Sequence, residues 1–166
     1  MEHLSNFLLA GSFIWIAWQD FKSRKVYLFG YGIIYILYAV KLSFFGHPAM
    51  NLVWVNVMII FILASTLTLY YLLRYKNRMW SRMKASIGTG DLLMIPVLTA
   101  AFSTGNFVLF LISSCLVALC YSLANQQTGK TDTTIPLAGI QSLLLSILLV
   151  MESAGVWNFG NDLISP

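Results

Sequence analysis

Charge is scarce in this chain. Aspartate, glutamate, lysine and arginine supply 10% of its 166 residues, where a soluble domain carries about a quarter. That excludes an ordinary solvated surface. Length alone would allow one soluble domain, but the apolar spans use it up and leave no room for a separate soluble module. Cysteine and histidine occur twice each, and no group of them has zinc-ligand spacing, so neither a metal nor another cofactor is expected. Cys115 and Cys120 lie in one predicted helix, five residues apart. At about 100° per residue they face different ways, which suits neither a disulfide nor a metal pair and reads as small apolar filler. Low-complexity tracts, long linkers and internal repeats are missing too, so residues 1–166 form one domain.

What is present is apolar. Aliphatic, aromatic and cysteine residues make up 58% of the chain, and the mean hydropathy is +0.77. A helical span needs about 20 largely apolar residues. The chain offers six candidates, at 4–19, 26–45, 51–73, 91–102, 107–124 and 135–151. Connectors such as Gly46-His47-Pro48 and Ser103-Thr104-Gly105-Asn106 separate them. The fold expected is all-α, a polytopic membrane protein of about six transmembrane helices. The first span has Glu2 before it and Trp18-Gln19-Asp20 after it, not a basic flank and a small-residue cleavage site, so it reads as a mature helix and not a signal peptide.

Basic residues give the orientation. With six helices, segments 21–25, 74–87 and 126–134 share one side and hold nine of the ten lysines and arginines. Cytoplasmic loops are enriched in these residues, so this side faces the cytoplasm and both termini face out. Lys41 is the exception, late in the second helix, where its stem would snorkel outward. The net charge of +4 therefore reflects topology and attraction to anionic lipid, and nucleic acid is not an expected partner.

The six acidic residues divide in the same way. Glu2, Glu152 and Asp162 fall on the outer side, at the chain ends or just past the last predicted helix. Asp20, Asp91 and Asp132 fall on the cytoplasmic side. Asp20 ends the first helix and Asp91 opens the fourth, and these run in opposite directions. Both carboxylates therefore reach the same membrane face at similar depth. Ionisable groups near hydrocarbon are costly and mark functional sites. Two carboxylates that meet share a proton and titrate as a unit. One can then deprotonate water while its protonated partner polarises a scissile carbonyl. Simpler roles exist for each: Asp91 as a helix cap, and Asp20 as an interfacial residue neutralised by Lys22 and Arg24. Gly88 and Gly90, on either side of Thr89, favour the chemical role. They allow positive φ and close backbone approach, which a cap alone does not need twice. Helix dipoles assign Asp91 as the base and Asp20 as the proton-bearing partner, with Lys22, Arg24 and Lys25 pulling the other way.

Gly88-Thr89-Gly90-Asp91 at the cytoplasmic start of a helix resembles the GxGD motif of membrane aspartic peptidases. Asp20-Phe21-Lys22-Ser23-Arg24-Lys25-Val26 resembles the first-aspartate motif of the type IV prepilin peptidase family, an aspartate followed by a basic-rich stretch and Ile-Pro. Ile135-Pro136-Leu137-Ala138-Gly139 is similar to that family's late Ile-Pro segment, which opens the last helix. The resemblance runs from the first helix to the sixth. It implies Asp20 and Asp91 as the catalytic pair, with Gly88, Thr89, Gly90, Arg24 and Pro136 as supporting motif residues. The implied reaction is cleavage of class III leader peptides from prepilin-like proteins at the cytoplasmic face of the cell membrane. Val26 and Tyr27 stand where the family has Ile-Pro, and Leu93 where it often has lysine. Asp20 leads directly into the second helix, without the cysteine-rich zinc segment of larger members, so methylation of the new N-terminus is not expected.

Asp132 is the candidate to meet a basic leader, with Lys130 beside it. The basic, aromatic segment 74–87 reads as an interfacial lipid anchor. His47 reads as a solvated loop residue, and Gln141, Ser142 and Ser146 as interhelical hydrogen bonders. Span 4–19, 16 residues or about 24 Å, is short against a core of about 30 Å, so local thinning would bring water to the pair. Two other functions fit these features: a small transporter or proton or cation pathway, and an inactive peptidase relative serving pilus or secretion assembly.

Overall fold

A computed structural model describes residues 2–23, 26–45, 50–76, 88–127 and 136–156. Arg24, Lys25, His47, residues 77–87, Lys130, Asp132 and Ile135 lie outside the described residues. Those described form six α-helices and no strand: α1 (Glu2–Ser23), α2 (Leu28–Phe45), α3 (Met50–Tyr75), α4 (Thr89–Ala101), α5 (Thr104–Gln127) and α6 (Leu137–Ser153). Two of them contain stretches long and apolar enough to cross a membrane, Asn51–Tyr75 and Thr104–Asn125.

α1 is longer than its apolar run. It has 22 residues, about 33 Å at helical rise, so its expected shortness is corrected. Asp20 therefore sits in the last turn of α1, not at its end. Lys22, in that turn, lies 4.6 Å above the Trp18 ring. Its stem and charge are accommodated without breaking the helix.

Leu9, Phe13 and Ile16 recur along α1 at helical spacing and enter the core with Tyr31 and Ile34 of α2, Met94, Val97 and Leu98 of α4, Phe107 and Phe110 of α5, and Leu145 and Leu149 of α6. α1 makes its largest contact with α6 and its next largest with α2. The exterior is apolar: Phe61, Ile62 and Leu63 of α3 and Ile112, Leu116 and Leu119 of α5 are exposed. Surfaces of that kind mark burial against lipid or protein.

α4 is short at 13 residues, about 20 Å, and hydrogen bonds to its backbone hold it along its length. Tyr31, Tyr35 and Tyr38, one stripe of α2, donate to the carbonyls of Gly90, Leu93 and Ala100. Pro96 inside α4 offers no N–H to the preceding turn, and Tyr35 bonds a carbonyl of that turn. At the far end, fully buried Asn56 of α3 donates to the carbonyls of Thr99 and Phe102 at 3.1 and 2.9 Å. Orphaned helix-end carbonyls are thus met by side chains where water is excluded.

Lys41 does not snorkel. Its Nζ lies 2.6 Å from Glu152 Oε2, both side chains are 14% exposed, and the Asn6 amide adds a 3.1 Å bond to the same oxygen. Glu152 is inside α6, not past its end. This pairing joins α1, α2 and α6 at the end of the bundle opposite Asp20. The serines of α6 are corrected likewise. The Ser146 hydroxyl donates back to the Leu143 carbonyl within its own helix, and the buried Ser142 hydroxyl has no hydrogen-bond partner among the described residues.

Candidate active site

Three helix ends meet at one end of the bundle: the last turn of α1, the first turn of α4 and the first turn of α6. Asp20, in the α1 turn, is buried. Its Oδ2 accepts a 2.7 Å hydrogen bond from the Gly139 N–H. Gly139 is the third residue of α6, after the buried N-cap Pro136, so its amide is one of those that no helical carbonyl can satisfy. Asp91 is the third residue of α4. It reaches back to the Gly88 N–H at 3.2 Å, and the Ala138 backbone at the start of α6 acts on its carboxylate. The start of α6 thus meets two carboxylates that come from different helices. The two aspartates interact electrostatically with one another and both with the Tyr31 hydroxyl.

This arrangement alters the dipole argument. Asp20 does sit at the C-terminal end of α1, but it faces the amide-rich start of α6, which favours negative charge. Assigning the base from α1 and α4 alone omits that third helix, so the assignment of Asp91 as base and Asp20 as proton carrier loses its footing.

The glycines act through space and not through positive φ. Gly88 has φ −72 and ψ 145, ordinary extended backbone, which corrects the expected use of left-handed geometry. A Cβ at Gly90 would lie 3.2 Å from Ala138 Cβ and 3.5 Å from the Tyr31 hydroxyl. A Cβ at Gly139 would lie 3.0 Å from Asp20 Oδ2 and 3.2 Å from Asp20 Cβ. Small residues let α4 and α6 approach and let the α6 amide reach the carboxylate.

Around this centre, Phe21 packs edge-on against Tyr121 of α5 with ring centroids 5.9 Å apart. Buried Gln19 accepts the Tyr27 N–H at 3.3 Å and so holds the α1–α2 connection. Thr89 is exposed at the start of α4. Val26 would stand 3.4 Å from a Gly90 Cβ, Tyr27 is exposed, and Leu93 packs against the core. Arg24 and Asp132 are outside the described residues. Cys115 and Cys120 are free and exposed on α5. Sequence reasoning missed Tyr31, although the 31, 35, 38 spacing of tyrosines was readable as one face of an apolar helix. Ala138 and Gly139 lie in the Ile-Pro segment of the sequence, where spacing alone assigns them no contact.

Compared with known protein families, curated proteins and solved structures, the chain shows no significant match.

Proposed function

We propose that this chain is a multi-pass aspartic endopeptidase of the cell membrane that removes class III leader peptides from prepilin-like proteins at the cytoplasmic face. One observation carries the reading: Asp20 and Asp91, from separate helices, come together at the start of a third, whose Gly139 N–H holds Asp20 and whose Ala138 backbone acts on Asp91. A helix cap needs one carboxylate, whereas a pair at this separation in sequence fits shared-proton chemistry. Water bound between them would give its proton to the ionised member. The protonated member would donate to the carbonyl oxygen of the scissile peptide as the tetrahedral intermediate forms, and protonation of the leaving amine would complete hydrolysis. Neither step calls for a metal or another cofactor.

Membrane residence rests on the apolar exterior, the two long apolar stretches and the segregation of nine basic residues. The side-chain bonds to the α4 backbone support it, because in lipid every freed carbonyl needs a protein partner. In a six-span arrangement α4, about 20 Å long, falls short of a core of about 30 Å, which leaves the Asp91 end open to water. The substrate class comes from the resemblance of the three motifs to the prepilin peptidases.

The test is to incubate the protein, reconstituted in liposomes, with the prepilin-like proteins of its own genome. Cleavage should follow a bell-shaped pH profile. Asp20→Asn and Asp91→Asn should each abolish it with helicity unchanged, while Asp132→Asn keeps substantial activity. Proton or cation flux with no leader hydrolysed at any pH would rule the reading out.

A further inference from the structure

Resting on that reading, we infer that Tyr31 is a positioning residue of the aspartate pair, fixing the first turn of α4 so that Asp91 meets Asp20. Tyr31 belongs to neither aspartate motif. It lies on α2, fully buried, and its hydroxyl donates at 2.9 Å to the carbonyl of Gly90, the residue immediately before Asp91. A Cβ on Gly90 would come within 3.5 Å of that hydroxyl, so α2 and α4 are in direct contact here. The ring stands 6.4 Å from that of Tyr35. Asp20 from α1, Asp91 from α4 and Tyr35 from α2 are the titratable groups that act on the hydroxyl among the described residues.

The Gly90 carbonyl belongs to the first turn of a helix whose amide end carries Asp91. A bond to that carbonyl fixes the rotation of the turn about the α4 axis, and with it the direction of the carboxylate. Tyr35 and Tyr38 bond the same helix farther along, at Leu93 and Ala100. They hold α4 against α2 beyond its first turn, past the residue that bears the carboxylate. The three tyrosines therefore make chemically similar bonds, and only one of them governs the geometry of the pair.

Tyr31→Phe keeps the ring and removes the bond. It should lower kcat about 10- to 100-fold, the scale of a modest misplacement of a reacting group, with KM within about twofold of wild type. Looser coupling between two carboxylates brings their two titration steps closer together. The limbs of the bell should accordingly move toward each other, and so should the two carboxyl steps seen by infrared titration, assigned with Asp20→Asn and Asp91→Asn. Tyr35→Phe and Tyr38→Phe should lower thermal stability comparably to Tyr31→Phe but leave kcat and the width of the bell unchanged. Equal kcat losses in all three variants would reduce Tyr31 to general clamping and overturn the inference. An unchanged infrared titration in Tyr31→Phe overturns it whether or not the wild type cleaves a leader. Absence of cleavage by the wild type overturns the peptidase reading instead.

Discussion

The backbone N–H of Gly139 donates to the carboxylate of Asp20 at 2.7 Å, across 119 positions of sequence and inside the protein. That bond ties the last turn of α1 to the first turn of α6. It gives a buried carboxylate a donor that its own helix, running out at that point, does not supply.

A methyl group at position 139 would sit 3.0 Å from the accepting oxygen and 3.2 Å from Asp20 Cβ. Gly139→Ala must therefore push the carboxylate aside. The neighbours need give only a few tenths of an ångström, so leader cleavage should fall by about 10-fold, less than the loss a 1 Å misplacement brings, while far-UV circular dichroism stays that of the wild type. Gly11→Ala is the matched control, since nothing lies within 4 Å of its added Cβ. It should retain activity and gain up to about 1 kcal/mol of stability from helix propensity.

At the opposite end, the Lys41–Glu152 pair should matter for stability and not for chemistry. Lys41→Met or Glu152→Gln leaves one member of a largely buried pair without its charge partner, at a cost of about 2 kcal/mol. Lys41→Met/Glu152→Gln together should cost less than the sum, because no uncompensated charge remains and Asn6 keeps an acceptor. Thermal unfolding in detergent measures all three, and cleavage rates should stay within about twofold of wild type. Single variants that melt with the wild type would show that the pair contributes nothing.

Topology is checked by labelling. Cys115 and Cys120 are free and exposed, so both are first replaced by serine. Single cysteines introduced near Ser81 and Gln127 should then react with a membrane-impermeant reagent only from the cytoplasm, and one near Pro48 only from outside. Reaction of all three from one side would remove the six-span arrangement and the argument that places the aspartates at the cytoplasmic face.

The sequence by itself determined the helices, their order and which ends the aspartates occupy. Apolar runs and their breaks are local, and each expected helix core is found within a few residues. An expected alternation of six spans puts Asp20 and Asp91 at one end without any knowledge of packing, and the start of α6 meets both there. Local pattern also misled where the chain's own polarity changed before its conformation did: Asp20 interrupts the apolar run of α1, yet the helix continues through Ser23. Tertiary structure alone decided the rest. Whether α6 lies between α1 and α4, whether Lys41 faces solvent or Glu152, and which tyrosine meets Gly90 all depend on the lateral order and rotation of the helices. Contacts between groups 59 to 119 positions apart set those, and period and composition along one strand of sequence carry no record of them.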